Sequence, residues 1–403
     1  MAIIAGIDEA GLGPTLGPLV VSAVAFRVPD DRADACLWEL LADVCTSDVR
    51  RTGHRLVIAD SKKMFAGRKS LALLERAALI MHAIREERSP GSASARPTAA
   101  RAHDAIEHPT ASAPVDTVTS APVAAHTSAA VATRSPVPPA RDMTSAATSN
   151  GPEHSESSTA ATAERPLSRR VPGTWRSLLH DLARPVLPEM EQYPWYVDAD
   201  WELPLSKGVG DLGTRANAVR RACVAQGVTF LGAQCEPVLA GRYNHLIERT
   251  RNKAVVLSCT AMGLAARVVR AAGAEPVRLY IDRLGGRMRY REVLTTAGFG
   301  EDLHIVEETE TSSVYRFTKQ NRRHEIRFVT GADARHMPVS LASIYSKYLR
   351  ETFMKAFNEF FTALQPGLKP TAGYYTDAKR WLADAEAMLA RQCVDRTMLI
   401  RVR

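Results

Sequence analysis

Apolar residues fall into short runs near the N-terminus and into helical repeats further along the chain. The runs Ile3–Ile7 and Leu19–Phe26 have the length and the β-branched character of strands. Gly17-Pro18 lies between them and is typical of a turn, so the two strands could form an antiparallel hairpin. The pattern therefore predicts a strand pair at the start of the chain.

Further helices and strands alternate after this pair. Apolar residues at helical spacing predict helices over residues 67–85, 215–225, 243–271 and 339–361. Short apolar runs predict strands over residues 228–234, 277–281, 303–306 and 324–329. Two early strands followed by alternating helices and strands predict an α/β fold with a mixed sheet.

Residues 96–170 differ in composition from the rest of the chain. Ala, Ser, Thr and Pro dominate this stretch, which has almost no aromatic or long aliphatic side chains. Such a segment cannot bury enough apolar surface to offset the entropy lost on ordering it. We therefore predict a disordered insertion over 96–170, between the first part of the fold (1–95) and an extra segment of unknown role (171–226), with the second part over 227–403.

Composition narrows the class of protein. The 403 residues carry a net charge of +8, which favours a polyanionic partner. The six cysteines form no Cys-x-x-Cys pair, so we expect buried thiols of a reducing compartment rather than a zinc site or a disulfide framework. The sequence has no run of 18 apolar residues and no signal-like N-terminus, so we expect a cytoplasmic monomer without a membrane span.

Carboxylates follow three of the predicted strands. Asp8-Glu9 end the first strand, Asp282 ends the strand over 277–281, and Asp333 follows the strand over 324–329. If these acids converge, their repulsion raises each pKa unless a cation enters. Mg²⁺ or Mn²⁺ would relieve that repulsion, and two such ions about 3.5–4 Å apart form the usual clamp for phosphodiester cleavage. A lone strand-end Asp is more often a cap or turn residue, and this alternative stays open.

Asp8 and Glu9 are adjacent, which restricts how they can act together. Neighbouring residues in a strand point to opposite faces of the sheet. We therefore expect both acids to reach one site only if the strand ends at this point. The following Gly11-Leu12-Gly13-Pro14 is typical of such a turn, and its glycines let the backbone approach a ligand closely.

Five sequence elements, in order, resemble signatures of the type 2 ribonucleases H (ribonuclease HII). The resemblance covers most of residues 1–95 and 226–380 and implies a ribonuclease H-like mixed sheet flanked by helices, with a C-terminal helical region. The elements are the run from Asp8 to Val20, Asp60-Ser61-Lys62-Lys63-Met64, Tyr280-Ile281-Asp282, Gly331-Ala332-Asp333 with the helix at Ser340–Lys347, and Gly373-Tyr374-Tyr375-Thr376.

This resemblance also implies an activity and a set of site residues. The family is made up of metal-dependent endonucleases that cut the RNA strand of RNA–DNA hybrids or nick DNA beside embedded ribonucleotides. The implied catalytic residues and ligands of Mg²⁺ or Mn²⁺ are Asp8, Glu9, Asp282 and Asp333. The implied substrate-binding residues are Gly11, Leu12 and Gly13 in the turn, Lys62, Lys63 and Lys347 at phosphates, and Tyr374 at the ribonucleotide sugar.

Two positions depart from the family's pattern. Leu12 stands where the family has a basic residue, and Ala372 stands where the family has Lys. Both differences remove positive charge from the expected path of a nucleic acid, and a leucine side chain cannot donate a hydrogen bond. Two alternatives therefore stay open: a nucleic-acid-binding relative with weakened cutting, and a structure-specific nuclease of the same fold that cuts DNA.

Two further motifs have weaker interpretations. The arginines that follow Asp282 could line a polyanion groove or form a solvated, salt-bridged face. Gly208-Val209-Gly210-Asp211-Leu212-Gly213 fits the dinucleotide-binding pattern G-x-G-x-x-G. The preceding residues 201–205 carry a proline and a charge, which is poor for a buried parallel strand and argues against dinucleotide binding.

Overall fold

Seven strands form one sheet in which parallel and antiparallel pairs are mixed. The computed structural model describes residues 1–50, 53–65, 71–86, 171–300 and 302–402. Two short strands, β3 (Cys45–Thr46) and β4 (Leu56–Val57), pair separately from that sheet. The strands of the main sheet are β1 (Ala2–Ala10), β2 (Leu19–Val28), β5 (Thr229–Val238), β6 (Val277–Asp282), β7 (His304–Glu308), β8 (Ser312–Lys319) and β9 (Arg322–Val329).

The order of strands across the sheet is β5-β2-β1-β6-β9-β8-β7. Strand β1 runs antiparallel to β2 and parallel to β6, and β6 runs parallel to β9. The predicted hairpin and the predicted mixed α/β sheet are therefore confirmed. Strand β8 was not predicted, because its sequence is largely polar and only Val314, Tyr315 and Phe317 are apolar and buried.

Helices cover both faces of this sheet, which confirms the predicted fold class. One face packs on a cluster that includes Ile4 and the longest helix, and the other packs on a cluster that includes Ile3 and Ile7. The helices are α1 (Leu37–Leu40), α2 (Ser61–Phe65), α3 (Ala72–Ala83), α4 (Trp175–Ala183), α5 (Val186–Met190), α6 (Pro194–Val197), α7 (Leu212–Ala225), α8 (Ala240–Thr250), α9 (Lys253–Ala272), α10 (Arg291–Leu294), α11 (Met337–Leu364), α12 (Tyr375–Arg391) and α13 (Arg396–Leu399).

The single helix predicted over 243–271 is wrong, because the chain forms two helices there. Arg251 adopts a left-handed φ of 52°, which ends α8. Asn252 then starts α9, because its side-chain Oδ1 accepts a hydrogen bond from the Ala254 N–H at 2.9 Å. The apolar spacing is similar in both helices, so periodicity alone did not show the break.

The segment over 171–226 belongs to the same hydrophobic cluster as α11. The Trp175 Nε1 donates to the Thr352 hydroxyl at 2.8 Å, and the Trp195 ring packs on the Phe361 ring with centroids 5.4 Å apart. Helices α4 to α7 therefore contribute to the core beneath the sheet. The predicted disordered insertion over 96–170 lies outside the described residues.

Helix α9 is the one helix in the described ranges that is long and apolar enough to cross a membrane. Its length and apolar composition are the only features that would suit a membrane span, and a buried core helix has the same length and composition. Leu257, Ala261 and Leu264 of α9 are fully buried among residues of β1 and β2. The packing is that of a core helix.

Helix α11 crosses β1 in direct backbone contact at Gly6. A Cβ atom placed on Gly6 would lie 2.3 Å from the Pro338 carbonyl carbon and 2.3 Å from the Val339 nitrogen. The helix can therefore lie this close only because residue 6 has no side chain. The close approach brings the serines of α11 next to the end of β1.

We expect Gly6→Ala to lower the free energy of unfolding by about 1–3 kcal/mol, because a new Cβ would force α11 away from β1. The matched control is Gly263→Ala on α9, where a Cβ would meet no atom within 4 Å. That control should raise the free energy of unfolding by roughly 0.5–1 kcal/mol, because alanine favours a helix more than glycine does. Chemical denaturation measures both, and equal effects would contradict the proposed contact.

Candidate active site

Three acids lie at one edge of the sheet because their strands are parallel neighbours. Ile7 pairs with Ile281, so Asp8 and Asp282 follow at the same level of β1 and β6. Asp333 lies in a short 3-10 turn, Ala332–Ala334, just beyond β9. The N–H of Ala332 donates to the Oδ1 of Asp282 at 2.9 Å, which ties this turn to the end of β6.

Strand β1 does not end at Asp8, so that expectation is wrong. The ladder with β2 continues through Glu9 opposite Val21 and Ala10 opposite Val20. The Glu9 N–H donates to the Asp8 Oδ1 at 2.8 Å, so the Asp8 carboxylate lies against the backbone of its neighbour. The negative charge of Asp282 raises the pKa of both carboxyl groups, so the two acids face one region although they lie in a continuing strand.

Negative charge is concentrated at this edge. Burial, the charge of Glu9 and the charge of Asp282 raise the pKa of Asp8 well above its usual range, and a hydrogen bond from Ser343 opposes that rise. Burial and the charge of Asp282 raise the pKa of Glu9 to about 7. Burial and neighbouring carboxylates likewise raise the pKa of Asp333. A positive charge placed here would be strongly favoured.

Asp60 belongs to the same group of acids, and the sequence analysis did not assign it to the site. Its charge contributes to the raised pKa of Asp333, and its Oδ1 accepts the Lys62 N–H at 2.8 Å. The signal was present in the Asp60-Ser61-Lys62-Lys63 element, of which only the lysines were assigned. A search limited to the acids that follow strands does not find Asp60, because Asp60 directly precedes a helix.

The positive charge of Lys62 acts on these acids and lowers the pKa values of Glu9 and Asp333. Burial would lower its pKa, but the charges of Asp8, Asp60, Asp333 and Asp282 raise it overall. Lys63, the next residue on α2, is exposed. Lys62 therefore lies where it can offset part of the acids' charge.

Serines of α11 fix the position of Asp8. The Ser346 hydroxyl donates to the Asp8 carbonyl oxygen at 3.0 Å and bonds the Ser22 hydroxyl at 2.8 Å. The Ser343 hydroxyl is near enough to the Asp8 carboxyl group to lower its pKa, and it lies 2.9 Å from the Ser61 hydroxyl. Residues three apart on a helix share one face, so α11 supports Asp8 from one side with two hydroxyl groups.

The donor chemistry of the site fits a hard divalent cation. Burial and the charge of Asp282 raise the pKa values of Asp8, Glu9 and Asp333, and oxygen ligands are those that Mg²⁺ and Mn²⁺ prefer. Within the ranges that the structure describes, no three His, Cys, Asp or Glu side chains form a ready-made ligand set. The roles of Asp8, Glu9, Asp282 and Asp333 as ligands therefore stay a prediction.

The glycine turn between β1 and β2 begins beside these acids. Gly11 has a φ of 90°, a conformation that favours glycine. The Leu12 side chain is half-buried against the hydrophobic cluster on the α9 face. Gly13 is exposed, and a Cβ on it would meet no atom within 4 Å. Leu12 thus makes apolar packing contacts at the position where the family resemblance implies a basic side chain.

The Gly373-Tyr374 element lies against this same turn. The Gly373 carbonyl oxygen accepts the N–H of Thr15 at 2.8 Å and the N–H of Leu16 at 3.1 Å. Tyr374 is 49% exposed, so its ring is available to a ligand. The Gly373-Tyr374 element therefore contacts the same turn that carries the predicted substrate-binding glycines, at Thr15 and Leu16.

Arg350 supplies a positive charge near Ala372 that the sequence analysis did not identify. This arginine is fully buried on α11, and its Nη2 donates to the Ala372 carbonyl oxygen at 2.8 Å. Its guanidinium carbon lies 5.3 Å from the centre of the Tyr374 ring. The Arg350 Nη1 also donates to the Glu351 Oε1 at 3.1 Å, so this buried guanidinium group is paired with an acid while it holds the backbone at Ala372.

Lys347 already has an acidic partner. Its Nζ donates to the Glu351 Oε1 at 2.6 Å and lies 4.7 Å from the centre of the Phe65 ring. A phosphate contact at Lys347, as the resemblance implies, would compete with this ion pair. That contact stays a prediction.

The chain matches several solved structures. No family model matches the chain, and no curated protein matches it. The chain is similar to ribonuclease H2 from Pyrococcus horikoshii OT3, with 11% identity, a TM-score of 0.36, and coverage of 98% of this chain and 92% of that one.

Two further solved structures give values in the same range. One is ribonuclease HII in its complex with PCNA from Archaeoglobus fulgidus, with 13% identity, a TM-score of 0.35, and coverage of 100% of this chain and 94% of that one. The other is Bst-RNase HIII in complex with Mn²⁺, with 12% identity, a TM-score of 0.35, and coverage of 100% and 66%.

We expect Asp8→Asn to raise the free energy of unfolding by about 1–2 kcal/mol in the absence of divalent cations, because it removes a buried carboxylate that lies among partly buried carboxylates of the same charge. The matched control is Asp384→Asn, which removes a half-exposed carboxylate bound to Arg380 at 3.1 Å. The control should change stability by less than about 0.5 kcal/mol. Denaturation in the presence of a chelator measures both, and a destabilised Asp8→Asn would argue against crowded charge.

Proposed function

We propose that the protein is a metal-dependent endonuclease that hydrolyses the RNA strand of RNA–DNA hybrids or nicks DNA at embedded ribonucleotides. The observation that supports this proposal is the position of Asp8, Glu9, Asp282 and Asp333 at one sheet edge, where burial and the charge of Asp282 raise the pKa values of Asp8, Glu9 and Asp333. The glycine turn follows the strand that carries Asp8, and Gly373 bonds that turn, which supports a substrate contact by the turn and Tyr374 near the acids.

The four acids would hold Mg²⁺ or Mn²⁺. When bound, such ions lower the pKa of a water molecule and stabilise the charge on a departing oxygen. Asp8 is the best-positioned ligand, because Ser343 and Ser346 fix its side chain and backbone. Asp282 is held by the Ala332 N–H at 2.9 Å, which restricts the rotation of its carboxylate.

Lys62 and the glycine turn would bind the nucleic acid. Lys62 interacts with all four nearby aspartates and remains exposed, so its ammonium group can also reach a phosphate. Phosphate contacts give affinity without sequence information, whereas contact with a 2′-hydroxyl distinguishes RNA from DNA. The exposed Gly13 backbone and the Tyr374 ring are the groups best placed for the ribonucleotide.

Cleavage of an RNA–DNA hybrid and of a DNA duplex with one embedded ribonucleotide tests the proposal. We expect Mg²⁺- or Mn²⁺-dependent cutting that leaves a 5′-phosphate and a 3′-hydroxyl, and we expect Asp8→Asn to lower kcat at least ~100-fold. The control Asp384→Asn should cut at the wild-type rate. Cutting that survives Asp8→Asn, or that acts equally on all-DNA duplexes, would contradict the proposal.

Metal binding can be measured without any substrate. Mn²⁺ at about 100 times its Kd should raise the free energy of unfolding by ~2.7 kcal/mol, because it binds the folded state only. Asp282→Asn should abolish most of the resulting increase in Tm, and Asp384→Asn should retain it. An equal increase in Tm in all three proteins would place the ion elsewhere.

A second candidate is a nucleic-acid-binding relative with weakened cutting. Two observations favour it: no three acids form a ready-made ligand set within the described part of the chain, and Leu12 packs into the protein. This candidate predicts salt-dependent binding to hybrid duplexes without turnover, even with Mn²⁺. The cleavage experiment therefore separates the two candidates.

A further inference from the structure

Arg401, near the C-terminus, contacts the glycine turn from inside the protein. Its side chain is only 2% exposed, and its Nη1 donates to the Gly11 carbonyl oxygen at 2.6 Å. Its Nη2 donates to the Leu12 carbonyl oxygen at 2.8 Å. The backbone N–H of Arg401 also donates to the Thr15 carbonyl oxygen at 2.9 Å. Its Nη1 also lies 3.4 Å from the Gly17 carbonyl oxygen, so one residue donates to four carbonyl groups between β1 and β2.

The segment that carries Arg401 is held by α8. The Asn244 Nδ2 donates to the carbonyl oxygens of Thr397 and Ile400, each at 2.7 Å, and its Oδ1 accepts the Val402 N–H at 2.8 Å. The Arg401 guanidinium carbon lies 4.0 Å from the centre of the Tyr243 ring. These contacts leave the guanidinium little freedom to move away from the turn.

The contacts of Arg401 also fix the direction of the N–H groups on the other side of the turn, because the peptide bond is planar. In a trans peptide, the C=O of one residue and the N–H of the next point in opposite directions. Because the carbonyl groups of Gly11 and Leu12 point to Arg401, the N–H groups of Leu12 and Gly13 point away from it. Neither N–H donates to another group among the residues that the structure describes. Consecutive free N–H groups suit a phosphate oxygen or a hydroxyl oxygen.

We propose that Arg401 is a positioning residue that orients the backbone of Gly11, Leu12 and Gly13 toward the ribonucleotide of the substrate. This inference rests on the proposed endonuclease function and adds a residue to it. Arg401 places a fixed positive charge beneath the turn at the position where Leu12 carries none. It holds two carbonyl groups with the two nitrogens of one planar group, which a lysine cannot do.

The test compares Arg401→Lys with Arg396→Lys, which alters an exposed arginine of the same segment that is bound to Glu386 at 2.7 Å. For a DNA duplex with one ribonucleotide, we expect Arg401→Lys to raise KM about tenfold and to leave kcat within about twofold. We also expect it to lower the preference for that duplex over all-DNA. Arg396→Lys should behave as the wild type.

Two further measurements separate positioning from loss of folding. Asn244→Ala keeps the Arg401 side chain but removes the hydrogen bonds that hold its segment. It should therefore raise KM, as Arg401→Lys does. Amide hydrogen exchange at Thr15 and Leu16, which bond Gly373, should become faster in both variants and stay unchanged in Arg396→Lys.

Each outcome decides between the two proposals. Unchanged KM, preference and exchange in Arg401→Lys, with an active wild-type protein, would overturn the role of Arg401. A fall in kcat with an unchanged KM would also overturn it. A wild-type protein that neither binds nor cuts the duplex would overturn the proposed function and the substrate part of this inference, whereas the exchange measurement still reports on the turn itself.

Discussion

The backbone contact between α11 and β1 at Gly6 is the constraint on which the rest of the site depends. A side chain at this position would lie 2.3 Å from the helix backbone. Because the helix lies so close, Ser343 and Ser346 reach Asp8, and Arg350 reaches the turn before α12. A single missing side chain in the sheet thus sets the positions of an acid, two hydroxyl groups and a buried guanidinium group.

The site stores unfavourable electrostatic energy that the surrounding structure must offset. Asp8, Glu9 and Asp333 all have raised pKa values, and burial is the largest cause for each. Lys62 and the serine hydroxyl groups compensate only part of that cost. Proteins commonly retain such strain where function needs it, and stabilising substitutions at these places tend to reduce activity.

Local patterns in the sequence predicted the strands β1, β2, β6 and β9, because each is an apolar run bounded by turn residues or acids. They predicted neither β8, whose sequence is largely polar, nor the helix break at Arg251, where a backbone angle and a cap matter more than periodicity. The sequence predicted that Asp8 and Asp282 lie in one site, because the carboxyl ends of parallel neighbouring strands meet at the same edge of the sheet. The sequence did not predict the contacts of Arg350 and Arg401, because their partners lie in other elements and no local pattern indicates a buried arginine.

The contact of Arg401 with Gly11 joins residues 390 positions apart. Contacts between such distant parts of a chain form late in folding, because a long loop must close before they stabilise anything. During synthesis, strand β1 is made long before residue 401 exists, so the turn beside Asp8 and Glu9 cannot adopt its final backbone orientation until residue 401 has been added and has reached it. A nascent chain of this protein would therefore carry Asp8 and Glu9 from the start, whereas the turn that follows them gains its Arg401 contacts only after Asp282 and Asp333 have also been made.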